Sequence, residues 1–206
     1  MNETEYDRFL HIETCGSNNG IYQSIHYNRY EPTPYSALEE LLKNYQINEN
    51  DSIVDFGCGL GRLSIFLHYK TNASVLGIDM NEQFIKEAMK NRERYCKKFK
   101  KKEDKIQFLR CFAQDYPIQP TENKFYFFNP FSLQIFMKVL HHIMLSIEEK
   151  KRPVDVILYY PSNDYIDYIN HYTPFEKVME IPIPTLHEKN WQERFIIYRL
   201  NLEPLF

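Results

Sequence analysis

Long apolar runs are missing from this chain of 206 residues. The longest, 156–160, is five residues, far below the ~20 that a membrane-spanning helix requires. Cysteine is sparse. Cys15, Cys58, Cys96 and Cys111 stand far apart with no CxxC spacing, which argues against a zinc site or a disulfide framework and for reduced thiols in a cytoplasmic protein. Charge of one sign is not in excess either: 25 Lys and Arg against 28 Asp and Glu leave a net charge of −3, so nothing global attracts nucleic acid. The opening residues, Met1-Asn2-Glu3-Thr4-Glu5, lack the basic and apolar regions of a secretory leader. What is present is a 43% hydrophobic chain with 16 Tyr and 15 Phe, enough for one well-packed domain and incompatible with disorder or a collagen-like repeat.

From residue 51 onward, short apolar runs alternate with helical periodicity, the pattern of a parallel sheet flanked by helices. Strands are expected at 52–55, 74–78, 106–109, 125–128 and 154–160. Helices are expected at 62–69, 82–101 and 163–170, with a further one striped by Leu133, Phe136, Met137, Leu140, Met144 and Ile147. In the long helix Phe84, Ile85, Ala88 and Met89 are assigned to the core. The alternation then stops: 175–183 and 193–200 read as two strands without a helix between them, hence an antiparallel pair. Upstream, Thr33-Pro34 reads as N-cap and first residue of a helix carrying Leu38, Leu41 and Leu42. Residues before about 30 read as polar and irregular.

The sharpest signal is Asp55-Phe56-Gly57-Cys58-Gly59-Leu60-Gly61-Arg62, a strand running through three glycines into a helix. Such a loop lets a ligand approach the backbone at a helix N-terminus. The dinucleotide fingerprint G-x-G-x-x-G puts its third glycine one place later, where this chain has Arg62. Asp55 would repel a pyrophosphate but suits an ammonium or sulfonium. The second strand closes on Asp79, whose carboxylate can accept both hydroxyls of a ribose, each bond contributing ~1.5–3 kcal/mol.

On these residues the segment 52–160 resembles the class I S-adenosylmethionine (SAM)-dependent methyltransferases, with 55–61 as their acid-x-Gly-x-Gly-x-Gly motif and Gly77-Ile78-Asp79 as their acidic ribose motif. The resemblance implies an α/β, doubly wound, mostly parallel seven-stranded sheet with helices on both faces and its last two strands antiparallel. It also implies an N-terminal extension and capping helix over 1–50 and a methyltransferase domain over 51–206. SAM is then the cofactor. Asp55, Cys58 and the backbone of Gly57, Gly59 and Gly61 would hold its methionyl part, Asp79 its ribose, and Met80 its adenine. After the third strand, where many members carry an acid for the adenine amino group, this chain has Phe112; the neighbouring Ala113 and Gln114 are assigned to the cofactor site, with Asp115 as an alternative to Gln114.

The fourth strand ends Phe128-Asn129-Pro130-Phe131-Ser132, which resembles the Asn-Pro-Pro-aromatic motif of amino-group methyltransferases, one proline short. In that reading Asn129 and the Pro130 carbonyl accept hydrogen bonds from the target amine and Phe131 stacks on it. Otherwise the segment is only a turn, with Ser132 capping the next helix. The expected acceptor is a nitrogen of RNA, DNA or protein; small-molecule methylation and a SAM-binding module without turnover are the alternatives. Neither metal nor membrane is expected, and oligomeric state is not legible. The stretch 30–35 stands where a lid would cover the cofactor. The lysines within 97–102 read as a solvated helix end, and His141 and His142, adjacent on a helix, cannot chelate one metal together.

Overall fold

In the computed structural model, which describes residues 1–15 and 31–200, five strands run parallel: β1 (Ser52–Phe56), β2 (Ser74–Asp79), β3 (Ile106–Arg110), β4 (Lys124–Phe127) and β5 (Val154–Tyr159). β6 (Glu176–Pro182) and β7 (Arg194–Leu200) join antiparallel, and the sheet order is β3-β2-β1-β4-β5-β7-β6. Six helices surround it among the described residues: α1 (Glu3–Leu10), α2 (Tyr35–Asn44), α3 (Arg62–Thr71), α4 (Glu82–Phe99), α5 (Leu133–Glu149) and α6 (Asn163–Tyr172).

Side chains alternate across each strand, so successive residues serve opposite layers. Ile53, Tyr126, Ile157 and Tyr159 join Tyr6, Leu38, Phe66 and Ile85, from α1 to α4, on one face. Val54, Phe56, Phe125, Phe127, Val156 and Leu158 join Phe136, Leu140 and Tyr165, from α5 and α6, on the other. Phe136 and Tyr165 stack with centroids 3.7 Å apart, fixing α6 on α5. Each such buried side chain stabilises the fold by roughly 1.5–3 kcal/mol.

Four sequence expectations are corrected. The first residues are not irregular: Asn2 and Glu5 form a capping box that starts α1, and Tyr6 and Leu10 are buried; residues 16–30, also read as irregular, lie outside the described residues. Thr33 is not an N-cap, because its hydroxyl bonds the Tyr126 hydroxyl at 2.6 Å and Pro34 takes the cap position. Met89 of α4 is 37% exposed and Met137 of α5 is 39% exposed; the core stripe of α5 keeps Phe136, Leu140 and Ile147 and adds Ile135, Val139 and Ile143. Methionine apolarity does not tell the core face from its edge.

Strand order reverses between β1 and β4, and a cleft opens at their carboxyl ends, where the chain leaves the sheet in opposite directions. The far end of the sheet is closed by a buried ionic cluster: Asp155 accepts from Arg199 at 2.6 and 2.8 Å, from Lys124 at 3.1 Å and from the Tyr45 hydroxyl.

Candidate active site

The glycine loop is built by β1 and the start of α3. Gly57 and Cys58 both donate backbone N–H to the carbonyl of Ile78, at 2.8 and 3.0 Å, which ties the loop to β2. Gly57 has φ of +81°, and a Cβ there would stand 2.6 Å from the Cβ of Pro130. The loop after β1 and the loop after β4 therefore meet at a position only glycine can occupy. At Gly61, φ is also +81°, and a Cβ would strike the Phe108 ring.

Asp55 is buried, with one oxygen accepting from Ser64 Oγ at 2.8 Å. Burial pushes its carboxyl up to about 7; the Ser64 bond works against that, and nearby Asp79 adds to it. Asp79 accepts from the Gly59 N–H at 3.1 Å through one oxygen and from the Asn81 N–H at 2.8 Å through the other. Burial raises its pKa as well, with those two backbone bonds opposing. Each oxygen of this carboxylate keeps a lone pair for a further donor.

Asp55, Gly57, Cys58, Asp79, Met80, Ala113, Pro130 and Phe131 line one cleft of about 930 Å³ including its open mouth. Gly59, Gly61, Gln114 and Asn129 flank it without lining it. Asn129 turns the chain with φ of +40°, a conformation that asparagine adopts more readily than most residues. Phe131 is 2% exposed and stands edge-on to Phe127, so its ring is held as wall rather than offered as a free face. The half-buried ring of Phe128 lines the cleft in addition.

Sequence reasoning missed three contributions. Phe84, assigned to the core by periodicity, faces the cleft because α4 starts directly after β2. Tyr126 lies beside Asp55 in register across β1 and β4 and projects to the same face. Arg62, noted only for displacing a glycine, is buried at 3% and gathers the N-terminal residues. It donates to Thr14 Oγ1 at 2.7 Å, to the Thr33 carbonyl at 3.4 Å and to Glu3, and its guanidinium stands over the Tyr35 ring at 4.5 Å. Asp7, 3.9 Å from the same guanidinium, accepts from Thr14, from the Cys15 N–H and from the Tyr35 hydroxyl. This cluster seats residues 31–33 as a wall of the cleft. Of the lid segment 30–35, residue 30 lies outside the described residues. The signal in the sequence was Asn2-x-x-Glu5, a helix start ahead of Tyr6, Phe9 and Leu10.

All four cysteines are unpaired with one another, and among the described residues no His, Cys, Asp and Glu side chains gather as a metal site. No described helix is long and apolar enough to cross a membrane.

A seven-stranded sheet in this order, with a glycine loop and an acid at the reversal point, defines the class I methyltransferase architecture. Residues 33–156 match the family model of a methyltransferase domain, and the chain belongs to that family. An RNA methyltransferase from Salinibacter ruber, solved with S-adenosyl-L-homocysteine, superposes with a TM-score of 0.60 at 16% identity over 85% of this chain and 96% of that one. A SAM-dependent methyltransferase from Aquifex aeolicus gives 0.56 at 14% identity over 79% and 89%. A protein-lysine N-methyltransferase from Saccharolobus islandicus is 32% identical over 66 residues, which span 32% of this chain and 41% of that protein.

Proposed function

We propose that residues 51–206 transfer a methyl group from SAM to a nitrogen acceptor, with residues 1–50 as a cap that completes the cleft. The observation carrying this reading is the contact of Gly57 with Pro130, which brings the donor loop and the acceptor loop together. The cleft fits the donor chemically: a cradle that a Cβ would fill, a buried acid and a carboxylate with spare lone pairs. When bound, SAM supplies a methyl on a sulfonium whose sulfur takes the bonding pair as a neutral thioether.

Asp79 accepts the ribose hydroxyls, and Asp55 and the 57–61 backbone hold the methionyl end. Met80, Phe84 and Ala113 enclose the adenine, with Gln114 at its edge. Asn129 and the Pro130 carbonyl accept from the acceptor nitrogen and aim its lone pair at the methyl carbon, while Phe131 and Phe128 wall off water. The nitrogen gains the methyl as the carbon–sulfur bond breaks, and its surplus proton passes to solvent.

The test is calorimetric SAM binding joined to transfer of radiolabelled methyl from SAM into a cell extract split by nuclease, protease and size. Wild type binding SAM and labelling a fraction, with Asp79→Ala weakened at least roughly tenfold, is the expected result. Unchanged affinity in Asp79→Ala overturns the ribose assignment. A second reading, a SAM-binding module without turnover, draws on the turn geometry of Asn129 and the burial of Phe131. SAM binding with no label in any fraction selects it.

A further inference from the structure

We infer that the acceptor is an aliphatic amine that arrives as its ammonium ion, of the kind a lysine side chain presents, that Glu31 selects it, and that it gives one proton to solvent before its lone pair attacks; this rests on the methyl-transfer reading above. Thr33 is pinned to Tyr126, and Phe128, just past the end of β4, packs against the same core cluster as Tyr126. Glu31, two residues before Thr33, lines the same cleft as Phe128. Its charge reaches the Tyr159 hydroxyl, adding to the burial and the Glu193 carboxylate that raise the pKa of that group. Tyr159 in turn packs edge-on against Phe128 at 4.8 Å and donates to Glu193. This end of the cleft therefore combines the Phe128 ring with the Glu31 carboxylate, a setting that attracts an organic cation.

The rest of the field has the same sign. Glu31, Asp55 and Asp79 line the cleft against one cation, Arg62, whose guanidinium is engaged by Glu3 and Asp7. A phosphate backbone would meet no free positive charge among these lining residues. The basic run 97–102 does not supply it. α4 starts at the cleft and is 18 residues long, so its lysine-rich end lies about 27 Å away toward the amino ends of the strands. There Lys98 donates to the Phe9 carbonyl and Lys101 to Asn72 Oδ1.

The test titrates the full chain, saturated with S-adenosyl-L-homocysteine, with three probes followed by NMR: blocked lysine (Nα-acetyl-lysine methylamide), its uncharged norleucine counterpart, and adenosine monophosphate. Blocked lysine is expected to bind and the other two are not. Glu31→Gln, at an exposed position, should weaken blocked lysine at least fivefold, a larger loss than any change in S-adenosyl-L-homocysteine affinity. Binding of adenosine monophosphate in preference to blocked lysine, no binding of blocked lysine, or equal affinity in Glu31→Gln each overturns the inference. S-adenosyl-L-homocysteine binding is measured first and separately; its absence refutes the donor reading instead, and the amine titration is then run on the ligand-free chain with the same criteria.

Discussion

Replacing Arg62 by Ala removes the guanidinium to which the N-terminal residues are tied. Arg62 is 3% exposed and meets Glu3, Asp7, Thr14 and the Thr33 carbonyl, and it stacks over Tyr35. Breaking a buried charge pair by deleting one partner costs about 3–5 kcal/mol. The lower end applies here, because Asp7 keeps the donors of Thr14, Cys15 and Tyr35, and Glu3 is half exposed. A loss of about 3 kcal/mol in a chain of this size lowers Tm by about 6–12 °C. Differential scanning calorimetry reads that shift, and limited proteolysis of residues 1–15 reads release of the cap. SAM affinity should fall in parallel, since residues 31–33 would lose their seat. A Tm within about 2 °C of wild type, with the N-terminal residues still protected, would refute the reasoning and leave Arg62 as a replaceable packing residue.

The remaining expectations are narrower. Gly57→Ala forces a positive φ on a residue with a Cβ and drives that Cβ into Pro130; a cost of about 1–2 kcal/mol from the backbone alone, plus the clash, should appear as a lower denaturation midpoint and at least tenfold weaker SAM binding. Asp55 has its carboxyl raised to about 7 in the ligand-free protein, and the cationic methionyl end of SAM prefers its ionised form. SAM affinity should therefore rise as pH increases from 6 to 8, and Asp55→Asn should flatten that profile. The sign for stability is opposite: the folded state holds a proton that the unfolded chain releases near pH 4, so this contribution is present at low pH and is lost as pH rises toward 7. At the far end of the sheet Asp155 behaves the other way. Arg199, Tyr45 and Lys124 outweigh burial and hold its pKa below the usual range, so its contribution is present above about pH 4 and is lost in acid as pH falls through the lowered value. Urea titrations of Asp155→Asn against wild type at pH 3 and pH 7 should show a larger gap at pH 7. For Asn129→Ala, lost methyl transfer with SAM binding nearly intact supports amine activation; full retained activity reduces the loop to a turn.

The sequence alone determined the fold class and the glycine loop, because both depend on short-range pattern. Alternating apolar runs specify strands whatever their neighbours. Three glycines after an acid specify a turn that few other residues can make, and Asp79 is placed by the end of its own strand. The antiparallel edge was legible in the missing helix between 175–183 and 193–200, and the count of seven strands followed from the resemblance those motifs carry. Tertiary structure decided what depends on which distant residues meet. Nothing local in Arg62 says that it will bind residues 3, 7, 14 and 33. Thr33 reads as a helix cap until Tyr126, 93 residues away, claims its hydroxyl. Phe84 carries a core-like period, yet its helix begins at the mouth of the cleft. Phe131 reads as a stacking ring; packing against Phe127 buries it as part of the cleft wall, and Phe128 lines the cleft beside it. Helical and strand periods give the face on which a side chain stands. Only the closing of the sheet against both helical layers fixes which of those faces meets a ligand, since that is set by contacts far apart in the chain.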